Sequence, residues 1–372
     1  MNRRFRVSIA LVVCAAALCS AAPAQAQVSI IKGPYLQDVT RTSITVMWET
    51  GEPGPSLVEY WLVSEPAQRQ TVEASQTVKI HEVPLTGLPP DTQYGYRIAS
   101  GSITSEPGSF WTAPGRSVPF RFAVWGDTQS HPEQHRAVAV AMLKSRPKFA
   151  VHVGDEVGNG DSYEGWGTEF FGPAAKLFAN VPFFVAIGNH EGNSHWFYDL
   201  HSQPPPENYC SFDYGNSHFI IIDTNQNYAP QSEQYRWLAQ DLESSACKRA
   251  RWRFAFFHHP SYSEGWDNPG YDGEPNVRKY LMPLFEKHGL TMAFSGHTHG
   301  YERGRYNGVY YMISGGGGGA LDRWYRDFGH IAVSRFEHHF CQVDVTDNEV
   351  RLKAVTPSGK VLDSFVVRPG SR

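Results

Sequence analysis

Five apolar runs in this chain each end in residues able to bind a metal ion or move a proton. Phe120-Arg121-Phe122-Ala123-Val124-Trp125 leads into Gly126-Asp127-Thr128-Gln129, and Phe149-Ala150-Val151-His152-Val153 into Gly154-Asp155. Phe183-Phe184-Val185-Ala186-Ile187 is followed by Gly188-Asn189-His190-Glu191, and Phe254-Ala255-Phe256-Phe257 by His258-His259-Pro260. Leu290-Thr291-Met292-Ala293-Phe294 runs into Ser295-Gly296-His297-Thr298-His299. In α/β folds ligands bind beyond the carboxyl ends of strands, and a glycine there lets the backbone turn sharply. Each piece alone is ordinary, because Gly-Asp is common turn chemistry and His-x-His is often a half-exposed strand. Five in one region are not incidental. Carboxylate, imidazole and amide oxygen suit zinc, manganese or iron rather than a soft copper site. The set Asp127, Asp155, Asn189, His258, His297 and His299 exceeds what one four-coordinate ion needs. A carboxylate bridging two ions accounts for the surplus.

The elements that must position these residues form two regions. From Ile30 to about Ala113 the pattern is strand only, as in Ser43-Ile44-Thr45-Val46-Met47-Trp48, Val58-Glu59-Tyr60-Trp61-Leu62-Val63 and Tyr94-Gly95-Tyr96-Arg97-Ile98. Turn clusters at Gly51-Glu52-Pro53-Gly54-Pro55 and Leu88-Pro89-Pro90-Asp91 are read as separating short strands, which predicts a β-sandwich. The run Leu85 to Tyr94 resembles the corner before a late strand of fibronectin type III domains. With no cluster of His, Asp and Cys, this region reads as a structural module. Ala113 to Pro119 is a linker, and beyond it strand-like and helix-like segments alternate, predicting α/β layers. One helix is expected from a capping box of Ser130 and Glu133, with Pro132 in its first turn, as far as about Ser145 before Pro147.

Composition fits a globular chain: of 372 residues, 41% are apolar and 19% charged, which excludes disordered, collagen-like and coiled-coil classes. The formal net charge of -4 gives no global basic field for nucleic acid. Arg3, Arg4 and Arg6, the apolar run Val7 to Leu18 and Ala24-Gln25-Ala26 read as a secretory signal peptide over residues 1–26. The apolar run is shorter than the ~20 residues of a membrane span, so an exported, periplasmic or secreted product without a span is expected. Cys210, Cys247 and Cys341 then remain, an odd number that leaves their disulfide state open. Their spacing is not that of a structural zinc site.

The ordered series of strand-end motifs resembles that of the calcineurin-like metallophosphoesterases. The tail Gly300-Tyr301-Glu302-Arg303 and the preceding region from Gly33-Pro34-Tyr35-Leu36 resemble purple acid phosphatases more narrowly. The resemblance implies an N-terminal all-β fibronectin type III-like sandwich over 28–113. An α/β metallophosphoesterase domain with α-β-β-α layers would follow over 119–368. It also implies two metal ions, of iron, zinc or manganese. Asp155 would bridge them, Asp127 and His299 would hold the first, and Asn189, His258 and His297 the second. His190 would bind the phosphate, beside Asn189, and protonate the leaving group after attack by metal-bound hydroxide. His259 matches no ligand position and is expected to be supporting structure.

Two positions depart from the resemblance. The family's tyrosine three residues after the bridging Asp is Gly158 here, and the superfamily's histidine two residues after the first Asp is Gln129. Gln129 through its amide oxygen, or a water, is the candidate replacement, ahead of Glu156. Without the tyrosine no purple colour and weaker selection for iron(III) are expected. The plant enzymes' histidine pair after the fourth motif is also missing from Ser263 to Asn268. The expected activity is hydrolysis of phosphate monoesters, small or polymeric. The alternatives are a phosphodiesterase on the same centre and a weakened domain acting as a cell-surface binding protein. No Gly-x-Ser-x-Gly elbow follows a strand, which excludes a serine hydrolase of that type. Gly315 to Gly319 is equally readable as a loop near substrate or as a point where strands crowd. Asp223 and Asn225 are either supports of the centre or turn caps. Trp166, His195, Trp196 and Trp266 are placed in loops, as substrate-shaping or packing aromatics.

Overall fold

The computed structural model describes residues 29–266 and 270–370; the expected signal peptide lies outside them. The N-terminal region is built on two long strands, Ser43–Leu62 and Gln70–Thr86. The first half of Ser43–Leu62 pairs with Ile30–Gln37, its second half pairs with Gln93–Ser100, and Gln70–Thr86 runs along its length. One hydrogen-bonded sheet thus folds over on itself as a sandwich. The Gly51 to Pro55 cluster does not end a strand, contrary to the sequence reading. Register shifts on either side of Gly54 absorb it as a bulge inside the strand. Tyr35 and Tyr96 tie this region to the next, donating their hydroxyls to the carbonyls of Leu200 (2.9 Å) and Ala179 (3.0 Å).

The second region has two facing sheets. One runs in the order Val361–Val367, Val350–Val355, Phe340–Val345, Phe120–Trp125, Phe149–His152, Phe183–Val185. The other runs Cys210–Tyr214, Ser217–Ile221, Trp252–Phe256, Met292–Ser295, Val309–Ser314, Tyr301–Tyr306, Ile331–Arg335. The strands that deliver the motifs pair in parallel within each sheet, Phe120–Trp125 also pairing antiparallel with Phe340–Val345. They are buried on both faces, which is why they read as unbroken apolar runs. Alternate side chains serve different layers. Phe122, Phe149, Phe219, Phe254 and Phe294 fill the space between the sheets, with Phe122 edge-on to Phe254 at 5.2 Å. Ala123 and Trp125 face outward under the helices Pro132–Ser145 and Gly172–Phe178. Ala255 and Phe257 face Glu233–Leu242 and Met282–Lys287 on the other side. The result is the expected α-β-β-α order.

The helix from Pro132 to Ser145 begins as expected with proline, but not with a capping box. His131 is the N-cap residue and no side chain caps it. Ser130 takes a left-handed backbone (φ 74°) and gives its N–H to Glu169 Oε2 at 3.2 Å. The loop's path around the site decides Ser130, rather than the local capping preference. His195 and Trp196 lie on a helix, His195–Leu200, not in a loop. Cys210, Cys247 and Cys341 are all buried free thiols.

Candidate metal centre

The five strand ends meet. His258 Nε2 lies 3.2 Å from Asp155 Oδ2, 2.9 Å from Asn189 Oδ1 and 3.1 Å from His297 Nδ1. His299 Nε2 lies 3.6 Å from Asp127 Oδ1. Gln129 Nε2 lies 3.4 Å from both Asp155 Oδ2 and His299 Nε2. His190 Nε2 is 3.8 Å from Asp155 Oδ2. Asp127, Gln129, Asp155, Asn189, His190, His258, His297 and His299 therefore occupy one cluster. Two donor triads within it are compact enough to hold an ion: Asp127, Asp155 and His258, and His258, His259 and His297.

The second triad adds a residue the sequence reading set aside. His259 binds Thr224 Oγ1 through Nδ1 at 2.9 Å, and its ring centroid is 4.6 Å from that of His297. Burial and the neighbouring His258 lower its pKa to about 3, so it is a neutral donor. Glu156 is fully buried and its Oε1 faces His201 Nε2 at 3.2 Å, and it is in neither triad.

The ligand-bearing backbone is strained where it turns. Asp127, Asp155 and His297 have φ of 58°, 57° and 70°, in the left-handed region that non-glycine residues enter at a cost. Hydrogen bonds hold them there. Asp127 Oδ1 accepts the His297 N–H at 2.8 Å. Glu191 Oε2 accepts from Gly188 (2.7 Å) and Asp155 (2.9 Å), and Oε1 from Glu156 (2.8 Å). His258 and His299 give Nδ1–H to the carbonyls of Val153 (2.9 Å) and Ala320 (2.6 Å), which turns each Nε2 inward. The His299 N–H is also held by Asp322 Oδ2 at 2.8 Å.

The glycine run resolves as crowding. Gly315, Gly317 and Gly319 give their N–H groups to the carbonyls of Gly300, Gly126 and Asp127 (3.1, 2.8 and 2.7 Å). A Cβ on Gly319 would sit 2.7 Å from the His299 ring. Asn225 holds the Ile187 carbonyl at 2.9 Å, and Asp223 accepts from Asn193 (2.8 Å) and Asn208 (3.1 Å), so both brace the third motif's loop. Trp166 is fully buried, its Nε1 bonded to the Gly160 carbonyl at 2.9 Å. Trp266 alone of the named aromatics joins the site, stacked on His297 at 4.8 Å with φ of 149°.

Sequence reasoning missed the acids behind the site. Glu302 Oε1 accepts from Ser263 Oγ and the N–H of Gly265 (3.1 and 2.8 Å), and Oε2 from the N–H of Glu264 (2.9 Å). It anchors the loop that carries Trp266. Its neighbours Tyr301 and Arg303 both bind Asp363 Oδ2, at 2.7 and 2.6 Å. The Tyr-Glu-Arg tail is thus a structural clamp. At Gly158, the N–H donates to Glu169 Oε2 (2.7 Å) and the carbonyl accepts from His190 Nδ1 (2.9 Å). A side chain starting there would find that Glu169 oxygen 3.5 Å away.

The donors fit cations. Nε2 of His258 sits between a carboxylate oxygen of Asp155 and the amide oxygen of Asn189, at 3.2 and 2.9 Å. Asp127 Oδ2 is buried and bonds nothing. Burial, then Asp155, push the Asp127 carboxyl well above the usual range, and burial and Asp155 do the same to Glu191. Asp155 is held low: burial opposes its charge, but His258 and His190 outweigh that. Cations among these groups would relieve the repulsion. Gln129 also fits: its Oε1 is buried and unbonded, and a half-turn of the amide puts oxygen at the same two contacts.

Comparison with known proteins identifies the family and the fold. Residues 120–301 match the calcineurin-like phosphoesterase family and residues 34–112 the purple acid phosphatase N-terminal domain. A purple acid phosphatase of Glycine max is 25% identical over 332 residues, covering 78% of this chain and 68% of that protein. A nucleotide pyrophosphatase/phosphodiesterase of Hordeum vulgare is 24% identical over 268 residues, covering 58% and 70%. Other curated relatives are spanned over 54% to 67% of their length. The structure of a purple acid phosphatase from yellow lupin (Lupinus luteus) seeds superposes with a TM-score of 0.80 at 20% identity, covering 91% of this chain and 74% of that one. The chain belongs to the purple acid phosphatase-like calcineurin-like phosphoesterases, a family of metal-dependent phosphatases.

Proposed function

We propose that this chain is an exported phosphomonoesterase with a dinuclear metal centre. Asp155, Asp127, His299 and the Gln129 amide oxygen would hold one ion, and Asp155, Asn189, His258 and His297 the other. The observation that carries this is the convergence of donors from five separate strand ends on Asp155, His258 and their neighbours within 4 Å. Bound divalent ions would supply Lewis-acid stabilisation of the phosphoryl oxygens and an activated water.

The residues do the rest. His190 is tied through Nδ1 to the Gly158 carbonyl, so its Nε2 faces the site. It is partly exposed, beside Asn189 at the rim, where a leaving group would depart. Protonated at Nε2, it donates to that oxygen, a role typically worth 10²–10⁴-fold. Trp266 forms a flat wall over His297 for the organic part of a substrate. Export rests on the N-terminal segment 1–26; no helix of the described residues is long and apolar enough to cross a membrane.

The test is metal analysis of the purified protein with hydrolysis of p-nitrophenyl phosphate and bis-p-nitrophenyl phosphate. Paired metals with monoester turnover are expected. A diester preference would move the assignment to the activity for which the Hordeum vulgare relative is named. Metal-free protein without turnover would end it.

A further inference from the structure

The amino ends of the second sheet border a cavity of about 790 Å³, far from the candidate centre at the carboxyl ends. Its wall takes Asn216, Trp252, Thr291 and Gly308, the residues that precede or begin four parallel strands. Strands of about five residues at ~3.3 Å each separate the two places by ~16 Å or more, so one compact ligand does not reach both. Around the cavity stand Arg116, Arg249, Arg251, Arg253, Arg305 and Arg368, with Asp347 the single acid of the lining. This concentration of positive charge occurs in a chain of net charge -4.

Three of the arginines are held by backbone carbonyls, which leave their charge intact. Arg253 donates to the carbonyls of Cys247 (3.0 Å) and Lys248 (3.2 Å), Arg251 to the Asp347 carbonyl (3.1 Å), and Arg116 to the Arg249 carbonyl. Among the described residues none of Arg116, Arg249, Arg251 and Arg253 makes an ion pair. The Asp347 carboxylate is occupied by Asn216 Nδ2 at 2.7 Å, and Arg368 is paired with Glu349 at 3.0 Å. The like charges of Arg116, Arg249, Arg251 and Arg253 around one cavity repel one another, and an anion with several oxygens relieves this. The volume lies within the range of small-molecule sites.

We propose that this cavity binds a compact anion carrying several phosphoryl groups, an oligophosphate. The site is separate from the metal centre and does not depend on its activity. Calorimetric titration of the metal-loaded protein with a methylene-bridged, non-hydrolysable triphosphate analogue tests it. Two classes of binding are expected, one of them competitive with p-nitrophenyl phosphate. In an Arg116→Glu/Arg249→Glu variant the other class weakens about tenfold or more, while turnover of p-nitrophenyl phosphate is unchanged. The milder Arg116→Gln/Arg249→Gln pair is the control should charge reversal prevent folding. In the unaltered protein about 0.5 M salt should abolish the second class. A second class unchanged in the folded variants overturns the proposal. So does inorganic phosphate binding there as tightly as the triphosphate, or a single-stranded oligonucleotide binding there more tightly.

Discussion

The carboxylate of Glu191 holds the backbone of Asp155, accepting its N–H at 2.9 Å, while Asp155 Oδ1 accepts the N–H of His190 at 3.0 Å. Glu191 therefore positions the second motif's carboxylate without itself being a ligand. In Glu191→Gln one acceptor oxygen becomes a donor facing backbone N–H groups. Metal affinity should fall about 10–100-fold, as when other partners behind metal ligands are lost. Metal content per chain after dialysis checks this; full retention would contradict the positioning role.

Gln129 should behave as a weak ligand of the first ion. Gln129→Ala should release one metal of the pair, and Gln129→His, which supplies an imidazole, should retain it about tenfold more tightly than the native amide. Competition with a chelator, read as metal remaining per chain, separates the three proteins. Identical retention would remove Gln129 from the ligand set.

His190→Ala should keep both metals and slow turnover by about 10²–10⁴-fold for alkyl phosphates. Little loss is expected for p-nitrophenyl phosphate, whose leaving group departs without a proton. The kcat ratio between the two substrates is the measurement. An equal loss on both would argue against proton donation.

Trp266 stacks on His297 and forms a wall of the site. Trp266→Ala should raise KM for aromatic monoesters about threefold to tenfold, the scale of one aromatic contact, and leave small alkyl phosphates nearly unaffected. Parallel KM measurements on both classes would show it.

His218 gives a stability prediction far from the centre. Burial opposes its charge, but Asp213 at 2.7 Å and Asp241 at 2.8 Å overcome that and raise its pKa to about 9. A raised pKa means that the folded state holds the proton more tightly. The stabilisation is full below the unfolded value of about 6.5 and is lost as pH rises through about 9. The size is of order 2–3 kcal/mol. Tm of the native chain should fall between pH 7 and 10, and His218→Gln should be less stable at pH 6 with a flatter profile. Parallel profiles for the two proteins would exclude the linkage.

The donors and their order along the chain were legible in the residues, because parallel strands buried on both faces leave unbroken apolar runs whose ends stand out. Phe120–Trp125 and Met292–Ser295 are visible for that reason, as are Asp127 and His297 just beyond them. Other assignments depended on which groups the folded chain brings together. Ser130 has the local signature of a cap, yet its N–H goes to Glu169, thirty-nine residues away. The Gly51 to Pro55 cluster has the composition of a turn, yet pairing on both sides keeps it within one strand. His259 comes beside His297, and Glu191 and Glu302 gain their backbone partners, only when loops from distant strands close on them. A single sequence encodes periodicity and local turn preference directly. The direction of a side chain beyond a strand end is fixed by packing and hydrogen bonds from residues tens of positions away, and only the assembled sheets supply those.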